Sequence, residues 1–165
     1  MRVVVCDTGP LLHLREAGSL DLLAATGRIV IPPAVRAELT GHDPYWKENI
    51  PEWVMVESLE PDFFQRAVRW SQAGLLHAGE SEALSLAIQL TAGWLLTDDA
   101  AARLFAQQQG LEVHGSLGVV LWAAVTGHLQ PADAESRLEA LARSSLWISP
   151  RVLGEARAAL RQIFA

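Results

Sequence analysis

Five short apolar runs, Val3–Cys6, Ile29–Ile31, Trp53–Val56, Trp94–Leu96 and Leu111–Val113, are separated by longer segments with apolar residues at helical spacing. Runs of this length, broken by a charge only at Glu112, fit strands buried on both faces. Strands that alternate with helices pair in parallel, and right-handed crossovers then lay helices over both faces. The expected fold is α/β, a three-layer α/β/α sandwich with a central parallel sheet of five strands. Residues 1–165 read as a single domain, with 144–165 a C-terminal helical extension.

Local signals predict where the helices lie. Leu11 to Leu23 reads as two short helices broken at Ala17-Gly18-Ser19, with Ser19 capping the second. Pro32-Pro33 stops the second strand and leads a helix over Ala34–Leu39 that carries Glu38, followed by a polar loop over Thr40–Pro51. Helices are expected over Pro61–Gln72, over Ala83–Leu90 behind Gly79-Glu80-Ser81-Glu82, and over Ala100–Gln109, closed by Gly110. Ser116–Thr126, Pro131–Ala142 and Pro150–Phe164 complete the chain.

Charge restricts function more than it restricts fold. The formal net charge is −6, so a broad basic nucleic-acid surface is excluded. A polynucleotide could be handled only through a divalent cation bridging acids to phosphates, or through basic residues confined to one rim. Cys6 is the sole cysteine, which excludes an intramolecular disulfide and makes a cytoplasmic setting the expectation. No signal peptide is expected from Met1-Arg2, and the longest apolar candidate, Gly118–Val125, falls well short of the roughly 18–20 residues of a membrane span.

In layered α/β folds the ligand crevice lies outside the carboxyl ends of the strands. Asp7 follows the first strand and Thr97-Asp98-Asp99 the fourth. Glu38 sits on the helix after the second strand, and Glu80 opens its own helix. Each has an ordinary explanation: Asp7 and Asp98 or Asp99 as helix caps, Glu38 as a solvated residue, Glu80 as a carboxylate at the positive end of a helix. Placed together on one rim they would repel, and a divalent ion relieves that repulsion. An all-oxygen set favours Mg²⁺ or Mn²⁺ over Zn²⁺, and the five histidines have no zinc-ligand spacing. There is neither a P-loop nor a dinucleotide fingerprint.

The ordered set Asp7-Thr8, Glu38 after Ile31-Pro32-Pro33, Gly79-Glu80 before an alanine-containing helix, and Thr97-Asp98-Asp99 resembles a PIN domain over Arg2 to Thr126. The closest likeness is to the VapC-like branch of toxin ribonucleases, which Gly115-Ser116-Leu117-Gly118 before an apolar helix also resembles. The resemblance implies a metal-dependent ribonuclease in which Asp7, Glu38, Glu80 and Asp99 are catalytic, metal-binding acids, with Asp98 as an auxiliary ligand. It also implies a homodimer and a small antitoxin protein that blocks the acidic pocket. Two positions depart from the pattern: Gly9 stands where Ser or Asn is common, and Glu80 where Asp is common. Thr8, Thr97 and Arg103 are the expected substrate-binding residues, Arg103 as a phosphate clamp one turn beyond Asp99. The alternative is a catalytically degenerate PIN-like module acting through protein or RNA binding, with the six tryptophans as interface anchors. Phosphohydrolases and receiver domains fit less well, since the second Asp of the former falls at Gly9 and the late lysine of the latter is missing.

Overall fold

The computed structural model describes residues 1–165. Its five strands are β1 (Val3–Cys6), β2 (Arg28–Ile31), β3 (Val54–Val56), β4 (Trp94–Leu96) and β5 (Val113–His114). They form one parallel sheet in the order β3-β2-β1-β4-β5. Connections from β1 to β3 step one way along the sheet and the return to β4 and β5 steps the other. Right-handed crossovers therefore place their helices on opposite faces, which yields the three-layer α/β/α arrangement.

β1 is central because its side chains suit no other place. Val4, Val5 and Cys6 are fully buried, with Val4 in register with Ile29 on one side and Trp94 on the other. Each such side chain contributes about 1.5–3 kcal/mol by leaving water. The burial also raises the Cys6 thiol well above its ordinary pKa, chiefly by desolvation, so Cys6 acts as a small core residue.

Helix α1 (Thr8–Glu16) begins immediately after Asp7, three residues earlier than its apolar spacing suggests. Asp7 caps it, and Pro10 falls in the first turn, where a missing N–H costs nothing. Helix α2 (Asp21–Thr26) is not capped by Ser19. The carbonyl of Ser19 accepts the N–H of Leu22 in a tight turn, and its buried hydroxyl faces inward to accept from Arg137 at 3.2 Å. Helix α3 (Pro33–His42) carries Glu38. The expected polar loop contains one more turn, α4 (Trp46–Asn49), folded there because Trp46 drops into the core at 1 % exposure.

Helices α5 (Pro61–Gln72) and α6 (Ala78–Gln89) pack against each other, with α6 lying on β1 and β4. After α7 (Ala100–Gln108) the chain turns at Gly110, which has φ +82°, and Leu111 N–H reaches back to Ala106. That bond occupies Leu111, so β5 starts two residues later than its apolar run.

Helices α8 (Ser116–Val125), α9 (Pro131–Ala142) and α10 (Pro150–Ile163) pack together, and Ala156 and Leu160 of α10 join the main core. The link between α9 and α10 bends back to α1. There the Glu16 carboxylate accepts both the N–H and the hydroxyl of Ser145 at 2.7 Å. No helix is long and apolar enough to cross a membrane.

Candidate active site

The strand order reverses between β1 and β4, so the crevice of the fold opens at their carboxyl ends. Asp7 and Thr97 are the first residues past those strands, and the Thr97 hydroxyl donates to Asp7 Oδ2 at 3.0 Å. The same hydroxyl oxygen accepts the N–H of Asp99 at 3.3 Å, so one threonine sets the spacing of both strand-end acids. Asp7 Oδ1 accepts the N–H of Thr8 at 2.8 Å, and Thr8 Oγ1 donates to Glu38 Oε2 at 2.6 Å. Glu38 Oε1 accepts the N–H of Gly79 at 2.9 Å, which joins α3 to the start of α6. Glu80 Oε2 accepts the N–H of His77 at 2.9 Å, and Asp99 Oδ1 accepts the N–H of Ala102 at 2.8 Å.

These bonds bring Asp7, Glu38, Glu80, Asp98 and Asp99 to one cleft of about 530 Å³. Asp7 lies deepest, at 5 % exposure. Burial pushes its carboxyl up to about 6, against the pull of hydrogen bonds from Thr8 and Thr97, and the charges of Glu80 and Glu38 push it further the same way. No three acid, histidine or cysteine side chains are drawn up around a common point as a ready-made metal cluster. Each acid is instead tethered by an N–H or O–H of the scaffold. Glu80 Oε1 and Asp99 Oδ2 accept no hydrogen bond from the chain and are available to a ligand.

A family model described as a PIN domain matches residues 3–162. The chain belongs to the PIN-domain family. PIN domains are nuclease folds that act on nucleic acids and usually hold divalent metal ions. No curated protein matches the chain.

Within this PIN domain the two adjacent aspartates have separate surroundings. Asp99 caps α7 from an exposed position. Asp98 turns away to accept the N–H and hydroxyl of Ser116, both at 2.6 Å, and pairs with His13 Nδ1 at 2.7 Å. It thereby ties α1 and α8 to the end of β4. Glu80 and Glu82 divide in the same way: Glu80 faces the cleft, whereas Glu82 accepts the N–H of Ala34 at the start of α3. Burial raises the Glu82 pKa, and the Glu38 charge adds to the rise.

The hydroxyls of Thr8 and Thr97 are turned to the acids, the first bonded to Glu38 and the second to Asp7. Arg103 lies outside the acidic cleft, in an adjoining groove that shares Asp98 with it. A hydroxyl at position 9 would have room, because a β-carbon there meets only ordinary contacts, the nearest being Asp98 Cβ at 3.5 Å.

Sequence reasoning gave no place at the site to His13, Ser116 or the segment Ser145-Leu146-Trp147, which also lines the cleft. The histidine carries no motif of its own, and Ser116 stood only within Gly115–Gly118, with no role assigned to its side chain. Trp147 had one available signal, an isolated tryptophan in a segment bounded by Ser144-Ser145 and Ser149-Pro150.

Proposed function

We propose that this PIN domain is a metal-dependent ribonuclease that hydrolyses RNA phosphodiester bonds. The observation that carries the reading is the placement of Asp7, Glu38, Glu80 and Asp99 around one cleft, with charge from two of them raising the Asp7 carboxyl. Clustered carboxylates at that cost in repulsion fit a site for a cation. The donors are all oxygen, which suits Mg²⁺ or Mn²⁺, and Asp7, Asp99 and one or both glutamates would hold the ion. When bound, such an ion lowers the pKa of a water and stabilises charge on the leaving oxygen.

The remaining work falls to the protein. Glu80 is the better placed proton acceptor, because Oε1 is unengaged while both Glu38 oxygens are occupied. Thr97 and Thr8 hold the acids in position through the bonds described above. A net charge of −6 opposes RNA binding, and a cation held at the acids would weaken that opposition where the chemistry takes place.

The likeness of Gly115–Gly118 to the VapC-like branch extends the proposal to the toxin of a toxin–antitoxin pair, acting as a homodimer in the cytoplasm. A small antitoxin protein would then silence it by covering the acidic cleft.

The test is RNA cleavage by purified protein with Mn²⁺ and with EDTA, alongside Asp7→Asn and Asp99→Asn. Cleavage should require Mn²⁺ and disappear in both variants. Undiminished cleavage by both, in preparations cleared of contaminating nuclease, would rule the assignment out.

A further inference from the structure

Beyond Asp98 the acidic cleft opens into a second groove of about 620 Å³, and Leu146 and Trp147 stand on the boundary, lining both. The two hollows differ in chemistry. Leu117 and Leu121 contribute apolar surface to the second, and Asp98 is its only acid, already bonded to His13 and Ser116. Its basic residues are His114, paired with Glu112, and Arg103, which is exposed and makes no ion pair within the chain. On a chain of net charge −6, a free guanidinium beside the acidic cleft marks where a phosphate can be received.

Trp147 is 82 % exposed. An indole left in water contributes little to the core, yet the loop presenting it is fastened at both ends. Ser145 is bound twice to Glu16, and Ser149 Oγ accepts the N–H of Val152 at the start of α10. The ring is therefore held out at the junction of the two hollows, not left on a free tail.

We infer that Trp147 is a stacking platform for a base of single-stranded RNA and that Arg103 binds a neighbouring phosphate, so that the strand runs from the second groove towards the acids. The inference rests on the ribonuclease reading and adds a substrate subsite to it. An exposed aromatic face accepts any unpaired base, whereas a duplex keeps its bases stacked on one another. Trp147 thus selects single strands with little regard to sequence, and Arg103 supplies the local attraction that the overall charge denies.

The test uses the full chain in EDTA, where binding is read without cleavage. Fluorescence anisotropy compares a labelled short oligouridylate with an abasic ribose-phosphate oligomer of the same length and charge. The wild type should prefer the oligouridylate, and Trp147→Ala should lose about tenfold in affinity for it while binding the abasic oligomer unchanged. Trp147→Phe should restore most of the preference. Arg103→Gln should weaken both probes alike and reduce the salt dependence by about 0.7 in slope, the amount expected for one phosphate contact on a single strand. A wild type without preference, or a Trp147→Ala protein that keeps it, overturns the inference. So does a Trp147→Ala change that splits a dimer in sedimentation while leaving RNA affinity intact, since the ring would then serve a protein interface. Failure of the ribonuclease reading is distinguishable: RNA stays intact with Mn²⁺ while the base preference in EDTA persists.

Discussion

The Glu38 carboxylate rests against the backbone of Gly79: Oε1 accepts its N–H at 2.9 Å, and a β-carbon at position 79 would overlap both carboxylate oxygens. A glycine at the start of α6 is thus needed for a side chain on α3 to reach the cleft. The glycine in the Gly79-Glu80 pair and the acid forty-one positions before it are two halves of one contact.

Gly79→Ala should separate folding from function. Alanine favours helix by roughly 1 kcal/mol over glycine, and the group it displaces is the movable end of Glu38. The melting temperature should change by only a few degrees in a thermal melt, while Mn²⁺-dependent cleavage falls roughly 10- to 100-fold, the scale of displacing a group that orients a metal site.

Asp7 makes stability depend on pH with a sign opposite to that of a salt-bridged aspartate. Its folded pKa of about 6 lies above the ordinary value of 3.8, so the folded state holds the extra proton between those values. Stability of the protein in EDTA should be greatest below pH 4 as far as this group is concerned, and should fall as pH rises to about 6, by up to about 3 kcal/mol. Asp7→Asn should remove that fall. Urea denaturation of both proteins across the window measures it, and identical pH dependence in the two would contradict the assignment. Because protons and cations compete for the same carboxylate, Mn²⁺ affinity measured by titration calorimetry should also weaken as pH drops through 6.

Substitution should act on stability at Asp98 and on activity at Asp99. Asp98→Ala leaves His13 and Ser116 without their common acceptor in a site 8 % exposed, at a cost of about 2–4 kcal/mol in chemical denaturation.

Asp99→Asn should keep the α7 cap, because asparagine caps as well as aspartate, and should stay within about 0.5 kcal/mol of the parent. Mn²⁺ binding by calorimetry should nonetheless weaken, and cleavage should be lost. An Asp99→Asn protein that melts early would mean that the cap, not the charge, is what position 99 supplies.

Much of the architecture was legible because its signals are local. Short apolar runs located four strands closely and the fifth to within two residues, and prolines placed the starts of α5, α9 and α10 at the residues observed. Legibility failed where distant residues intervene: Ser19 looks like a cap until Arg137 claims its hydroxyl, and Thr40–Pro51 looks like loop until the core takes Trp46. The site divides on the same line. Asp7 and Thr97–Asp99 could be placed from their positions at strand ends, and the resemblance favoured Asp99 over Asp98, but what Asp98 binds became visible only through His13 and Ser116.

By itself the sequence determined the layered sheet, the strand-end aspartates and the shortage of positive charge, since periodicity, chain punctuation and composition require no knowledge of distant neighbours. Tertiary structure alone decided that Glu82 turns to the start of α3, that Glu38 reaches Gly79, and that Trp147 arrives at the rim. Those outcomes depend on hydrogen bonds and packing between segments far apart in the chain, and their partners come into reach only once the sheet has formed.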